Sequence, residues 1–231
     1  MSSHGGTRAI IAALSANAFI ALTKFGAWAL TGAASMLAEG VHSLADTSNQ
    51  LLLLRGGRVA QREATDEHPF GYGRAPFISA FLVSVILFSL GGLFALYEAF
   101  NKYEEVASGH PNELLDSQWW WVPIAVLLFA MLAEGMSFRT AIRESAPVKG
   151  GLSWPQFIRR AKSPDLPVIL LEDFAALIGL AFALLGVGMT LITHVGYWDV
   201  AGTALIGLLL IFVAITLAME TRSLLLGEAA T

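Results

Sequence analysis

A histidine and an aspartate stand four residues apart inside an otherwise apolar segment, as His42 and Asp46. Side chains at positions i and i+4 lie on one face of a helix, so these two are expected to meet. Imidazole nitrogen and carboxylate oxygen are ligands that Zn²⁺ and related divalent ions accept. The spacing therefore predicts part of a metal site, and the alternative is a polar stripe that only packs against neighbouring helices.

The same helical face carries further polar residues. At about 100° per residue, five side chains fall within an arc of about 80°; they are Ser35, Glu39, His42, Asp46 and Asn49. Amide and hydroxyl groups of this kind hydrogen-bond between helices in membranes. We therefore interpret Ser35 and Asn49 as interhelical contacts, with Asn49 a candidate to support the ligands from behind.

A second pair of acids, Glu172 and Asp173, follows the predicted inner end of another apolar segment near Leu166. At about 1.5 Å rise per residue, their depth matches that of Asp46 within a few ångströms. Glu172 shares a stripe of small residues that favours close helix approach, namely Ala175, Gly179 and Ala183. Glu172 is thus predicted to point into the bundle, and Asp173 lies about 100° away. One of the two is expected to be a ligand; two interfacial carboxylates are the alternative.

Other buried charges receive a structural interpretation. Lys24 and Glu39 lie at similar distances on either side of the turn near Gly32. They should therefore reach equal depth in neighbouring helices and form an ion pair, which makes Glu39 more structural than ligating. Both are candidates to support the ligands from behind. Glu98, Glu134 and Glu220 lie near the ends of predicted spans and are expected to be solvated.

The elements that position these residues are membrane helices. The chain has 231 residues, of which 55% are hydrophobic and only 14% charged, whereas a soluble domain carries roughly a quarter charged residues. A span needs roughly 20 apolar residues as helix, and six such segments recur, at about 9–30, 34–54, 75–98, 119–138, 167–193 and 200–219. The predicted fold is an all-α, six-helix transmembrane bundle, with a short interfacial helix around residues 154–161.

Charge sets the predicted orientation. If the N-terminus is cytoplasmic, the outer loops hold only Lys102 of the 14 Lys and Arg residues, and Lys24 lies within a span. Cytoplasmic loops carry the excess of Lys and Arg, so both termini are predicted to be cytoplasmic. The run Trp119–Trp121 is expected to begin the fourth helix at the outer interface. A net charge of −4 provides no basic field for nucleic acid, and no cysteine is present for thiolate chemistry.

Three stretches together resemble the cation diffusion facilitator family of metal transporters, in the zinc-transporter branch. They are WALTGAASMLAEGVHSLAD at 28–46, LLLLRG at 51–56 and HPFGYGR at 68–74. The Trp198-Asp199 pair, the LLED stretch before Phe174 and the closing METRSLLLGEA are similar to the family as well. The resemblance covers essentially the whole chain, as a membrane domain over 1–231, while the usual C-terminal cytoplasmic domain is absent from this sequence.

The resemblance implies a dimeric antiporter that exchanges cytoplasmic Zn²⁺, or a similar ion, for protons by alternating access. It implies a four-residue metal site between helices 2 and 5, and His42 and Asp46 match the helix 2 ligands. The usual i, i+4 pair of helix 5 is incomplete, because Glu172 is followed by Ala176 and Asp173 is preceded by Ile169. An oxygen-rich site of this kind could also admit Mn²⁺, Fe²⁺, Co²⁺ or Cd²⁺.

A second family site lies in the loop between helices 2 and 3, and here only His68 matches, since Thr65 and Tyr72 occupy the other places. His68 is therefore a weak candidate.

Two other classes of function compete with the transporter. A membrane-embedded metal hydrolase is disfavoured, because the sequence has no HExxH or GxSxG motif. The other is a non-transporting subunit that dimerises with a full-length relative. We expect no enzyme activity and no prosthetic group, with divalent metal, protons, lipid and a second copy of the chain as partners. The short loops suit a prokaryotic inner membrane.

Overall fold

The structure is a computed structural model that describes residues 3–160 and 165–226, with side chains from residue 17 onward except 159, 160, 165, 223, 224 and 226. Within these residues the chain is helical and contains no strand. The six long helices are α1 (Ser3–Thr31), α2 (Ala34–Ala60), α3 (Ala75–Ala107), α4 (Val122–Lys149), α5 (Asp165–Thr193) and α6 (Tyr197–Leu226). Two short helices, Glu113–Asp116 and Trp154–Arg160, lie in the connections before and after α4.

The helices are longer than the apolar segments that predicted them. The sequence ended α3 at 98 and α4 at 138, but they continue to Ala107 and Lys149. Hydropathy falls at the first charged residues, whereas a helix continues until a residue interrupts it. In α4 that residue is Gly150, whose φ of 55° few other residues adopt. The long basic connector predicted after α4 is therefore partly helix.

Two further boundaries need correction. The tryptophans at 119–121 form the turn before α4 rather than its first residues, although their indoles stay about half exposed, as at an interface. The predicted interfacial helix is present at Trp154–Arg160, and residue 161 lies outside the described part of the chain.

The six long helices pack into one bundle, and α2, α5 and α6 supply much of its buried interior. Helix α1 packs against α2 and α4, α3 against α2 and α6, and α5 against α4 and α6. Helix α2 also crosses the interior to contact α5 and α6. This arrangement places the polar face of α2, which carries His42, Asp46 and Asn49, against the turn of α5 that carries Glu172 and Asp173.

Small residues set how closely the central helices approach. A Cβ added at Gly179 of α5 would lie 2.8 Å from Oε1 of Glu39 on α2. A Cβ added at Gly186 would lie 2.9 Å from the carbonyl oxygen of Trp198 on α6. The face of small residues predicted for α5 is thus packed against both neighbours, with Ala175 and Ala183 fully buried.

The start of α2 is capped by a residue distant in sequence. Its N-cap, Ala33, has no side chain that can accept a hydrogen bond. Asp199 of α6 takes this role, accepting from the backbone N–H of Ala34 at 2.8 Å and of Ser35 at 3.3 Å. The Ser35 hydroxyl donates to the same carboxylate. Asp199 therefore ties the N-terminal ends of α2 and α6 together.

Four helices are long and apolar enough to span a membrane among the described residues, namely α3, α4, α5 and α6. Helix α2 falls below that level because its inward face carries the polar stripe. Large apolar side chains cover the outside, with Ile192 76% and Leu132 70% exposed, as lipid contact requires. The chain is therefore a multi-pass integral membrane protein.

Candidate metal centre

His42 and Asp46 meet on α2 as their spacing predicts. Nε2 of His42 lies 3.4 Å from Oδ2 of Asp46, and the two side chains are 1% and 14% exposed. Both ring nitrogens of His42 and Oδ1 of Asp46 are buried without a hydrogen-bond partner among the described residues. Buried polar atoms are rarely left unpaired, so each such atom needs an explanation. The plain packing interpretation of this pair is weakened, because a packing stripe would satisfy these atoms.

Glu172 and Asp173 both lie inside the bundle, but they face different helices. Nδ2 of Asn49 on α2 donates to Oε1 of Glu172 at 2.7 Å. Oγ of Ser137 on α4 donates to Oδ2 of Asp173 at 2.8 Å. Glu172 is 5% and Asp173 7% exposed, so the interfacial alternative is wrong for both. Glu172 points into the bundle as predicted, where it meets α2, and Asp173 is turned toward α4.

A small cavity of about 10 Å³, roughly the space for one water-sized sphere, joins the α2 and α5 residues. Asp46, Glu172, Asp173 and Glu134 line it with their carboxylates. The remaining lining residues come from α1, α2 and α5, and they are Asn17, Ile20, Ser43, Gln50 and Ile169. The arrangement offers a cation an oxygen-rich space at the level of the His42–Asp46 pair.

The predicted ligands are not assembled around a common point in this conformation. Within residues 3–160 and 165–226, no three His, Asp or Glu side chains lie close enough together to hold a metal ion. The hydrogen bonds from Asn49 and Ser137 hold the two α5 carboxylates toward opposite helices. Binding an ion with all four predicted residues would therefore require side chains to move or α2 and α5 to shift.

The buried ion pair predicted beside the centre is formed. Nζ of Lys24 on α1 lies 2.8 Å from Oε2 of Glu39 and donates to Oγ of Ser43 at 2.7 Å. Lys24 is 1% and Glu39 0% exposed. Because Ser43 also lines the cavity, the pair connects α1 to the wall of the candidate centre.

The loop residue His68 is exposed and has no acidic partner in its described contacts. Its ring packs on Tyr72 with centroids 4.5 Å apart, and its backbone bonds to Thr65. Thr65 and Tyr72 are themselves in contact through their hydroxyls at 3.3 Å. The loop thus brings the three positions together, but His68 is the single one with a strong metal-ligating group.

Sequence reasoning missed the positions of Glu134 and Asp199. Glu134 was expected near a solvated helix end, but α4 extends to Lys149 and places it in mid-helix, facing the cavity. A charge within a span was the signal that could have found it. Asp199 was noted as part of a motif, but no local pattern could reveal its contact with α2.

Comparisons with known proteins agree with these features. The family model described as "Cation efflux transmembrane domain" matches residues 10–226. The chain is 31% identical over 232 residues to "Proton-coupled zinc antiporter SLC30A9, mitochondrial" of Xenopus laevis, covering 99% of this chain and 40% of that protein. It is 30% identical over 228 residues to the human protein of that name, covering 97% and 39%. It is 30% identical over 224 residues to "Metal tolerance protein C4" of Arabidopsis thaliana, covering 96% and 47%.

The chain spans less than half the length of each of these relatives. Two of the names place the relative in mitochondria. They give no support to the prokaryotic inner membrane expected from the short loops.

Proposed function

Because the chain belongs to the cation efflux transmembrane family, we propose that it carries divalent metal, Zn²⁺ first, across a membrane in exchange for protons. The family consists of transporters, so we propose a transporter and not an enzyme. The metal is then the transported substrate. The relatives from Xenopus and human are named as proton-coupled zinc antiporters. That this 231-residue chain itself transports metal in exchange for protons is our proposal.

The proposed topology has six spans with both termini cytoplasmic, across one domain of residues 1–231. The asymmetric distribution of Lys and Arg supports it. In this orientation Asn17, Gln50 and Ile169 lie on the cytoplasmic side of the carboxylates in the cavity. Toward the outer side, Lys24, Glu39 and the Asp199 cap are buried. We propose that the cavity is reached from the cytoplasmic side in this conformation, as in the inward-facing state of an alternating-access cycle.

The observation that carries the proposal is the unpartnered, buried imidazole of His42 beside Asp46. A neutral imidazole and a carboxylate 3.4 Å apart offer one nitrogen and one oxygen donor to an entering ion. Glu172 or Asp173, across the cavity, supplies the further oxygen donors. Asn49 orients Glu172 from behind, and the Lys24–Glu39 pair fixes α1 against the ligand-bearing face of α2.

Proton coupling follows from competition for the same atoms. A metal ligand must be deprotonated, so metal binding releases protons and protonation releases metal. Histidine changes charge between about pH 5 and 8, which makes His42 the candidate switch. Ion captured at the cytoplasmic side would be displaced by protons once the site opens outward.

The test is Zn²⁺ flux in proteoliposomes containing the 231-residue chain, with and without a pH gradient. We expect gradient-dependent flux that Asp46→Ala and His42→Ala both abolish. Asp66→Ala, which removes an exposed carboxylate of the loop, is the matched control and should leave flux unchanged. Flux in the wild type that ignores the gradient would refute the coupling, and flux that survives Asp46→Ala would refute the site.

The alternative is a subunit that does not transport alone but pairs with a full-length relative. One observation favours this alternative: no three ligating groups converge on a common point among the described residues. The same assay separates the two: Zn²⁺ binding without flux in a folded, reconstituted wild type favours the subunit. A homodimer is the assembly we propose for the transporter, and cross-linking in native membranes tests it.

A further inference from the structure

Glu134 is a partly buried carboxylate that does not belong to the predicted set of His42, Asp46, Glu172 and Asp173. It lies in the middle of α4, one helical turn before Ser137, and Ser137 donates to Asp173. Glu134 lines the same cavity as Asp46, Glu172 and Asp173. A third helix therefore presents a carboxylate to the space between α2 and α5.

The charges around this cavity are unbalanced. Its described lining contains four carboxylates and neither Lys nor Arg. The nearest buried cation, Lys24, is already bound to Glu39 and Ser43. Charges in a low-dielectric interior need a counter-charge or coordinated ion. A mobile divalent cation, in competition with protons, would balance this set.

An independent observation points to a ligand at the same place. His42 is 1% exposed, and neither of its ring nitrogens has a hydrogen-bond partner among the described residues. Its Nε2 lies 3.4 Å from Oδ2 of Asp46, which lines the cavity. A buried imidazole without a protein hydrogen-bond partner has a nitrogen free to bind a ligand such as a metal ion.

The α5 helix has no second donor at the i, i+4 spacing, because Ala176 follows Glu172 and Ile169 precedes Asp173. We propose that Glu134 of α4 supplies the missing oxygen ligand, and that this makes the centre oxygen-rich enough to take Mn²⁺ as well as Zn²⁺. Joint binding by Glu134 and the α2 and α5 residues would require side chains to rotate, because no three of the described ligating groups converge in this conformation. The inference rests on the proposed transport function and names the residue that widens its range of substrates.

The selectivity has a physical basis. Zn²⁺ is satisfied by four ligands that include imidazole nitrogen, whereas Mn²⁺ prefers more oxygen donors in an octahedral arrangement. Removing one carboxylate should therefore weaken Mn²⁺ binding more than Zn²⁺ binding. Even loss of a supporting group around a metal typically costs about 10- to 100-fold in affinity.

The experiment measures the half-saturating concentrations of Zn²⁺ and of Mn²⁺, each alone, for uptake into proteoliposomes by the wild-type chain and by Glu134→Gln. We expect at least about a tenfold rise for Mn²⁺ and a smaller rise for Zn²⁺. Glu134→Asp, which keeps the carboxylate, should recover part of the loss. Glu98→Gln is the matched control, because Glu98 is a partly buried carboxylate on α3 that does not line the cavity.

The outcomes separate this inference from the proposed function. If the half-saturating concentrations of both ions in Glu134→Gln equal the wild-type values, and Asp46→Ala loses flux, the role of Glu134 is overturned and the proposed function stands. Equal weakening for both ions overturns the selectivity claim. Absence of flux in the wild type overturns the proposed function, and equilibrium binding of Zn²⁺ and Mn²⁺ to the same variants in detergent then decides the role of Glu134. Size-exclusion profiles and helical circular dichroism show that each variant is folded.

Discussion

Replacement of Lys24 by methionine tests how strongly the buried ion pair holds α1 to α2. Lys24→Met keeps most of the side-chain volume but leaves Glu39, which is 0% exposed, without its cation. Oε1 of Glu39 already has no hydrogen-bond partner among the described residues. The variant would therefore leave an uncompensated charge at the most buried point of the interface.

The expected effect is large. Removing one partner of a buried ion pair costs about 3–5 kcal/mol, because the remaining charge cannot be solvated. In a chain of this size about 1 kcal/mol shifts the thermal midpoint by roughly 2–4 °C, so we expect a decrease of roughly 6–20 °C. The double variant Lys24→Met with Glu39→Leu removes both charges and should recover most of this stability.

Lys102 provides the matched control. It is also buried, and its Nζ lies 2.9 Å from Oε2 of Glu105, but the Glu105 side chain is 56% exposed. Water solvates Glu105 when the lysine is removed, so Lys102→Met should cost less than about 1 kcal/mol.

The assay is thermal unfolding in one detergent, followed by loss of helical circular dichroism for all four proteins. A Lys24→Met midpoint equal to that of Lys102→Met would refute the reasoning. A double variant no more stable than Lys24→Met would show that lost packing, rather than an orphaned charge, causes the effect.

Two further predictions concern helix contacts. Gly179→Ala places a methyl group 2.8 Å from Oε1 of Glu39, so we expect reduced Zn²⁺ flux and a lower thermal midpoint. Gly188→Ala on the same helix meets no atom within 4 Å and should raise the midpoint slightly, and flux equal in the two variants would contradict the proposed close contact. Asp199→Ala removes the acceptor for the backbone of Ala34 and should cost about 1–2 kcal/mol of stability, measured by the same unfolding assay. Asp199→Asn should retain part of the cap, and a wild-type midpoint for Asp199→Ala would show that α2 does not depend on it.

Local patterns predicted much of the candidate centre, because its main contacts are local or related by depth. His42 and Asp46 meet through the i, i+4 spacing of one helix. Lys24 and Glu39 meet because they are nearly equidistant from the turn at Gly32, whose φ of 61° allows α2 to fold back on α1. Neither contact depends on how distant helices are arranged.

Helix ends were predicted less well than helix existence. The apolar segments identified all six long helices, yet α4 extends to Lys149 instead of stopping at 138. Hydropathy measures affinity for lipid, whereas backbone hydrogen bonding decides where a helix ends. The error displaced Glu134 from mid-helix to a presumed solvated end, which hid its place at the cavity.

The sequence by itself determined the helical class, the polar face of α2 and the depth of its acidic partners, because these depend on periodicity and rise along single helices. Only the tertiary structure decided which helix each carboxylate faces. Glu172 contacts Asn49 of α2, Asp173 contacts Ser137 of α4, and Glu134 of α4 lines the same cavity. It also decided that Asp199 caps α2, from a position 165 residues away along the chain. These contacts depend on the rotation and order of packed helices, which side-chain packing across the whole bundle fixes and no local pattern encodes.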